Sequence, residues 1–196
     1  MRRGYLRQLL LLLAALSALA IWARPAFSVH DILSEDTDFQ DPDAGAWNFI
    51  NDYTGMIGGD TVDWIWTMPQ ADLSQYKTVA VPDFKDLWTG TDPIAEGLLT
   101  RHMKDALSDR FGLKVVDENA DITVNGAIVD YSSGTVPPRY WPKYNPTDSL
   151  VEVEVTVVDN KTKEVISKVR HKSIDPTIEA AIAETVNDIV DQWAKK

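Results

Sequence analysis

The sequence predicts an α+β fold: one mainly antiparallel sheet with two helices packed on one face, in the order strand, helix, four strands, helix. Three observations carry this. Valines alternate with charged residues in two neighbouring segments, two Asp-Pro pairs each precede a stretch of helical apolar spacing, and 196 residues suffice for about one domain. With 44% hydrophobic and 25% charged residues the chain falls in the folded range, which excludes collagen-like, low-complexity and wholly disordered classes.

The N-terminus reads as an address. Arg2, Arg3 and Arg7 precede an uncharged run over residues 9–23, long enough for the core of an export signal and short of the roughly 18 to 20 residues of a spanning helix. Ala26-Phe27-Ser28 offers small residues at the positions a signal peptidase inspects, so residues 1–28 are expected to be removed and Val29 to begin the mature chain. Arg2-Arg3 with Arg24 leaves a twin-arginine signal as the alternative route. A periplasmic or secreted protein with no remaining membrane span is expected. The sequence contains 0 Cys, which excludes a lipidated cysteine, disulfides, thiolate-bound metals and thiol nucleophiles.

Residues 29–75 form an acidic aromatic arm, without Lys or Arg but with Asp31, Glu35, Asp36, Asp38, Asp41, Asp43, Asp52, Asp60, Asp63 and Asp72. Ala46, Phe49, Ile50, Tyr53 and Ile57 fall at helical spacing before Gly58-Gly59, predicting a short amphipathic helix. Val62, Trp64, Trp66 and Met68 alternate with Thr61, Asp63, Ile65 and Thr67, predicting a strand before Pro69. Its tryptophans either cover the main domain or present themselves to a partner.

The domain proper is expected over residues 76–196. Residues 76–84 read as a strand. Asp92-Pro93 caps a helix that ends at Gly112, with Ala95, Leu98, Leu99, Met103, Ala106 and Leu107 on its buried stripe. Residues 113–116 and 121–131 are further strands, with Gly126 marking a bulge or a close approach. A hairpin follows. Placing Val157 opposite Val165 sets Val153 opposite Val169, Glu154 opposite Lys168 and Glu152 opposite Arg170, so apolar meets apolar and acid meets base. That pairing reads Lys168, Arg170 and Lys172, with Lys161 and Lys163, as a solvated salt-paired face rather than an anion site. Asp175-Pro176 caps the last helix, whose apolar face is Ile178, Ala181, Ile182, Val186, Ile189, Val190 and Trp193.

Four stretches together resemble a known group of proteins: Tyr76-Lys77-Thr78-Val79-Ala80-Val81-Pro82-Asp83-Phe84, Phe111-Gly112-Leu113-Lys114-Val115-Val116, residues 120–131, and residues 157–165. They resemble small bacterial envelope proteins, with the architecture of the LptE lipopolysaccharide-assembly family and of the periplasmic α/β domain of the CsgG curli-secretion family. The resemblance spans residues 70–196. It implies an α/β or α+β domain at the periplasmic face of the outer membrane, working inside an assembly without catalysis. Many members carry a lipidated Cys, which this chain lacks.

No constellation carries chemistry. His30, His102 and His171 have no metal-ligand spacing, there is no Gly-x-Ser-x-Gly elbow, and Gly55-Met56-Ile57-Gly58-Gly59 lacks the Lys of a phosphate loop. His102 reads as a boundary residue of its helix. Asp36, Asp38, Asp41 and Asp43 miss the calcium-loop pattern because Asp41 stands where Gly is needed. No cofactor is expected. The net charge of −11 disfavours nucleic acid, since phosphate binding depends on clustered cations.

The functional candidate is the loop of residues 132–147. Its Arg139, Tyr140, Trp141, Lys143 and Tyr144 are set among four prolines, which restrict the free chain and lower the entropy lost on binding. Aromatic faces suit a sugar, lipid headgroup or extended peptide, and the two cations suit phosphate or carboxylate. The plain alternative is that Trp141 folds back over a bare sheet end. With Trp64 and Trp66, these residues predict a non-catalytic periplasmic factor that binds an envelope protein or a lipid or glycan headgroup. The alternatives are a carboxylate-dependent hydrolase of envelope glycan and a purely structural subunit.

Overall fold

A valine hairpin forms the middle of the sheet. In the computed structural model, which describes residues 49–195 except Thr89, strand β6 (Ser149–Asp159) pairs antiparallel with β7 (Val165–Asp175). The predicted export signal, residues 29–48 of the arm, His30 and the cluster Asp36 to Asp43 lie outside the described residues.

Val151, Val153, Val155 and Val157 are fully buried on one face. The register stands two residues from the expected one. Val155 opposes Val169, Val153 opposes His171, Glu154 opposes Arg170 and Glu152 opposes Lys172. Side chains repeat every two residues along a strand, so a two-residue slide leaves each on its face and still matches acid with base. The turn supplies one residue of the displacement and a bulge the other. Val157 pairs Ser167 and Val158 pairs Val165, which leaves Ile166 without an opposite residue.

The seven-stranded sheet runs β1 (Trp64–Thr67), β7, β6, β5 (Ile122–Ser132), β2 (Thr78–Ala80), β4 (Lys114–Val115), with the two-residue β3 (Lys85–Asp86) also beside β5. β1, β7, β6 and β5 are mutually antiparallel, whereas β5–β2, β2–β4 and β3–β5 are parallel. The sheet is therefore mixed, a correction to the mainly antiparallel expectation. A helix between strands returns the chain to run in the same direction, and helix α1 (Pro93–Phe111) does this between β3 and β4. Residues 76–84 do not make one strand, because Pro82 has no N–H to donate and the chain re-pairs only at Lys85. The tryptophan strand is hydrogen-bonded into this same sheet as its edge.

Both helices bury their stripes against the valine face. Asp92 caps α1 by accepting from the Ile94 N–H at 2.9 Å, and Gly112 ends it in the left-handed conformation at φ 66°. Helix α2 (Ile178–Ala194) begins later than expected. Asp175 belongs to β7, and Thr177 is the cap, accepting from the Ala180 N–H at 3.2 Å. Ala181, Ile182, Val186, Ile189, Val190 and Trp193 are all buried on α2, as their spacing predicts.

The expected close approach at Gly126 is present. The Phe84 ring lies where a β-carbon on Gly126 would stand, while the irregularity in β5 falls later, between Ile128 and Asp130. The predicted helix around residues 46–57 is absent from its described part. Residues 49–57 run as bends and turns across the sheet face opposite the helices. The Ile50 N–H is taken by the Glu154 carboxylate at 2.7 Å, Asp52 accepts from the Thr54 N–H at 2.9 Å, and Gly55 has φ 81°. Each of these replaces a helical hydrogen bond or torsion.

Candidate functional site

The face away from the helices carries the charged residues that alternate with the valines. Cross-strand pairs place them in rows: Trp64, Arg170, Glu154 and Ala127; Trp66, Lys168, Thr156 and Asn125; and Lys172, Glu152 and Asp130. This face is not simply solvated. Glu154 is fully buried beneath residues 49–53, where its carboxylate accepts from the Ile50 N–H and the Tyr53 hydroxyl. Arg170 lies 2.5 Å from Glu152 and 3.6 Å from Glu154. Burial pushes the Glu154 carboxyl above its ordinary pKa, although the Tyr53, Ile50 and Arg170 contacts oppose that rise. Burial likewise raises Asp130, joined by the Glu152 charge and opposed by Arg139. The Lys168 ammonium donates to the Asp52 carbonyl at 2.6 Å and stands 5.5 Å from the centre of the Trp66 ring. As the charge pattern implied, the Lys and Arg of β7 are engaged by protein groups. What the sequence did not show is that the N-terminal segment covers them.

The Pro-aromatic loop closes one end of this face. Val136 is fully buried with Leu150 and Ile174, and Tyr140 and Tyr144 pack against them. A single 3-10 turn, Pro138–Tyr140, starts the loop's inward fold. Arg139 reaches Asp130 at 3.3 Å. Tyr140 lies between two cations, with Arg139 4.8 Å and Lys172 4.7 Å from its ring centre, and its hydroxyl accepts from Lys172 at 3.1 Å. Tyr140 is thus tied to the Lys172 row, on the same face of the sheet as the rows of Trp64 and Trp66. Lys143 lies exposed over the Tyr144 ring at 5.1 Å. Trp141 divides its surface: its Nε1 donates to the Val136 carbonyl at 2.9 Å while 49% of the residue stays exposed. The sheet end is therefore closed mainly by Val136 and the two tyrosines.

Trp64 and Trp66 are half-buried on the charged face. Trp66 also borders a cleft of about 300 Å³ with Gly55, Ile57, Asp60, Trp193 and Lys195. The sequence reading missed Trp88 and Ile94, exposed to 42% and 68%. They flank the start of α1, and the Leu87 N–H bonds the Ile128 carbonyl, which brings that turn to the end of the sheet where β5 enters the loop. Only an unpaired apolar residue beside a Gly or a cap would have signalled them in the sequence. His102 is half-buried on α1. His171 is buried between Asp63 and Asp188, a cluster joining positions 108 and 17 apart in the chain, which no local motif reveals. Among the described residues no group of His, Asp and Glu is arranged to hold a metal ion, and no helix is long and apolar enough to cross a membrane.

The geometry offers anchored aromatics, charges committed to partners, and an exposed Trp and Lys at one sheet end. The family model LptE, described as lipopolysaccharide-assembly, matches residues 76–194. The chain belongs to the LptE family. No curated protein matches it significantly. Among solved structures, a point variant of the PelC dodecamer from Paraburkholderia phytofirmans is 14% identical, covering 67% of this chain and 98% of that one with a TM-score of 0.53. The PelC dodecamer from the same organism in another crystal form is 12% identical, covering 67% and 96% with a TM-score of 0.52. At these identities the likeness concerns the fold. The LptE match supports the envelope-assembly class that the resemblance implied.

Proposed function

We propose that this chain is a non-catalytic assembly factor of the bacterial envelope, exported to the periplasm, which binds lipopolysaccharide through the loop of residues 132–147. The observation that carries the reading is Trp141, whose ring is fixed by its bond to Val136 yet half exposed. An aromatic face held in place loses little entropy on stacking against a sugar ring. Lys143 projects beside it as a cation for a phosphate or carboxylate. Arg139 and Tyr140, by contrast, hold the loop on Asp130 and Lys172, and Tyr144 packs under it. The LptE family match supports lipopolysaccharide as the ligand class. Trp66, at the mouth of the cleft beside β1, is a second contact on the same reading.

The test is binding of purified lipopolysaccharide to the purified protein. Trp141→Ala and Lys143→Ala should each weaken binding about tenfold while the circular dichroism spectrum is unchanged. Unchanged affinity in both removes the loop from the reading. Isolation only as a fixed-stoichiometry complex that binds no lipopolysaccharide replaces it with a structural subunit. Turnover of envelope glycan that one Asp or Glu substitution abolishes replaces it with a hydrolase.

A further inference from the structure

His171 lies on β7 at 7% exposure, at the junction of three segments. Its Nε2 is 3.1 Å from Asp188 Oδ2 on α2 and 3.3 Å from the Ser173 hydroxyl, and its Nδ1 is 3.2 Å from Asp63 Oδ2, just ahead of β1. A neutral imidazole has a single N–H and cannot donate to two carboxylates; an imidazolium has two and can. The same Nδ1 also lies 3.3 Å from the Asp63 backbone nitrogen. When the ring loses its proton, Nδ1 can therefore accept from that N–H instead of donating to the carboxylate. One ring position serves both states, but the neutral one exchanges a charge-assisted contact for a weaker N–H···N bond.

We propose that His171 is a proton-gated latch that fastens the edge of the sheet, residues 57–64, to β7 and α2. In the protonated state the ring bridges Asp63 and Asp188; on deprotonation the two carboxylates lose their shared cation and the edge loosens. The neighbouring contacts agree with this hinge. The edge segment is also tied to α2 by the Gln192 side chain, which accepts from the Asp60 and Thr61 N–H groups at 2.8 and 2.9 Å, and by the Thr61 hydroxyl, which donates to the Asp188 carbonyl at 2.7 Å; an isolated bridge, in which Ile57 and Ile65 exchange N–H···O bonds of 2.9 and 2.8 Å, folds the segment back on β1. The Lys172 N–H keeps the Asp63 carboxylate in place at 2.8 Å in either state.

The titratable and charged groups facing the ring are few. Asp63 faces it from the edge segment and Asp188 from α2; Glu184 lies further along α2, Asp175 at the end of β7, and Lys172 beside it on β7. Burial alone would favour the neutral ring, but hydrogen bonds and charge from Asp63 and then Asp188 outweigh it and move the His171 pKa above 6.5. The latch is thus closed at acidic pH and opens as pH rises through that raised value.

The test combines NMR titration of the histidine ring protons with hydrogen exchange of the Asp60 and Thr61 amides, which bond Gln192 on α2, between pH 5.5 and 9.5, corrected for intrinsic exchange. His171 should titrate above 6.5, and protection of those two amides should fall about tenfold across its midpoint while core amides of β6 hold theirs. Asp188→Asn should shift the His171 midpoint down and move the protection step with it. His171→Gln should abolish the step. A midpoint at or below 6.5, protection that does not change across the titration, or a step that persists in His171→Gln overturns the proposal. If His171→Gln does not fold, the Asp188→Asn shift decides alone, and a protection step that fails to follow the midpoint counts against the latch.

Discussion

Glu154 is a carboxylate with no exposed surface, and it survives there because its oxygens meet the Ile50 N–H, the Tyr53 hydroxyl and Arg170. Burial raises the Tyr53 hydroxyl pKa, and the Glu154 bond and charge add to it, so the phenol stays a donor. Removing the carboxylate takes an acceptor from the buried Ile50 N–H and from the Tyr53 hydroxyl and deprives Arg170 of one of its carboxylates. Glu154→Ala is expected to lower unfolding free energy by about 3 kcal/mol, read from urea midpoints. A loss under about 1 kcal/mol would show that water replaces these contacts at little cost. From the sequence, Glu154 is one of several acids alternating with valines, and its partners Ile50 and Tyr53 are 104 and 101 positions away. Alternation told its face but not what covers that face.

At the scale of elements, caps and stripes were legible because they depend on neighbours within a turn or two. Asp92, Gly112 and the stripes of α1 and α2 stand as their spacing implies. The hairpin register was legible in its faces but not in its count, since a slide of two residues keeps each side chain on its face and acid against base, and the turn and the bulge at Val157 to Val158 each supply one of those residues. Gly126 was legible as a close approach, though the Phe84 ring that occupies the space came only from the fold. Gly126→Ala should cost about 1 to 3 kcal/mol through overpacking, and adding Phe84→Leu should return part of that loss. Thermal unfolding of the single and double variants measures the coupling. Costs that simply add would show that the new methyl group does not meet the ring.

For the whole molecule, the shifted groups set how stability depends on pH. Glu184 is raised from 4.5 to about 7, first by its hydrogen bond with Asp175 and then by burial. Asp130 and Glu154 are raised by burial, and His171 by its two carboxylates against burial. In all four the folded state holds the proton more tightly than the unfolded chain does. Their stabilisation is present below the unfolded pKa and is lost as pH rises through the folded one. Asp52, Asp121 and Asp159 are lowered, first by the backbone N–H groups of Thr54, Lys77 and Thr162; Asp63 is lowered by His171 and Lys172 against its burial. These four work in the opposite direction, losing their contribution as pH falls below 3.8. The Tm should therefore peak at about pH 4 to 5 and decline toward pH 8, with Glu184→Gln removing part of the slope below neutrality. A Tm that climbs from about pH 5 to 8 would contradict this balance.

The sequence by itself determined the α+β class, the order of the main strands and helices and the buried stripes, because these follow from periodicity, caps and turns that act over a few residues; the LptE resemblance rests on four particular stretches between residues 76 and 165. It also singled out the loop of residues 132–147 by composition. Only the tertiary structure decided that part of the sheet is parallel, that the tryptophan strand is its edge, that residues 49–57 cover Glu154, and that His171 meets Asp63 and Asp188. Those outcomes depend on which distant segments meet. Burying a charge is tolerated only where its counterpart arrives from elsewhere in the chain, and one-dimensional spacing carries no record of that meeting.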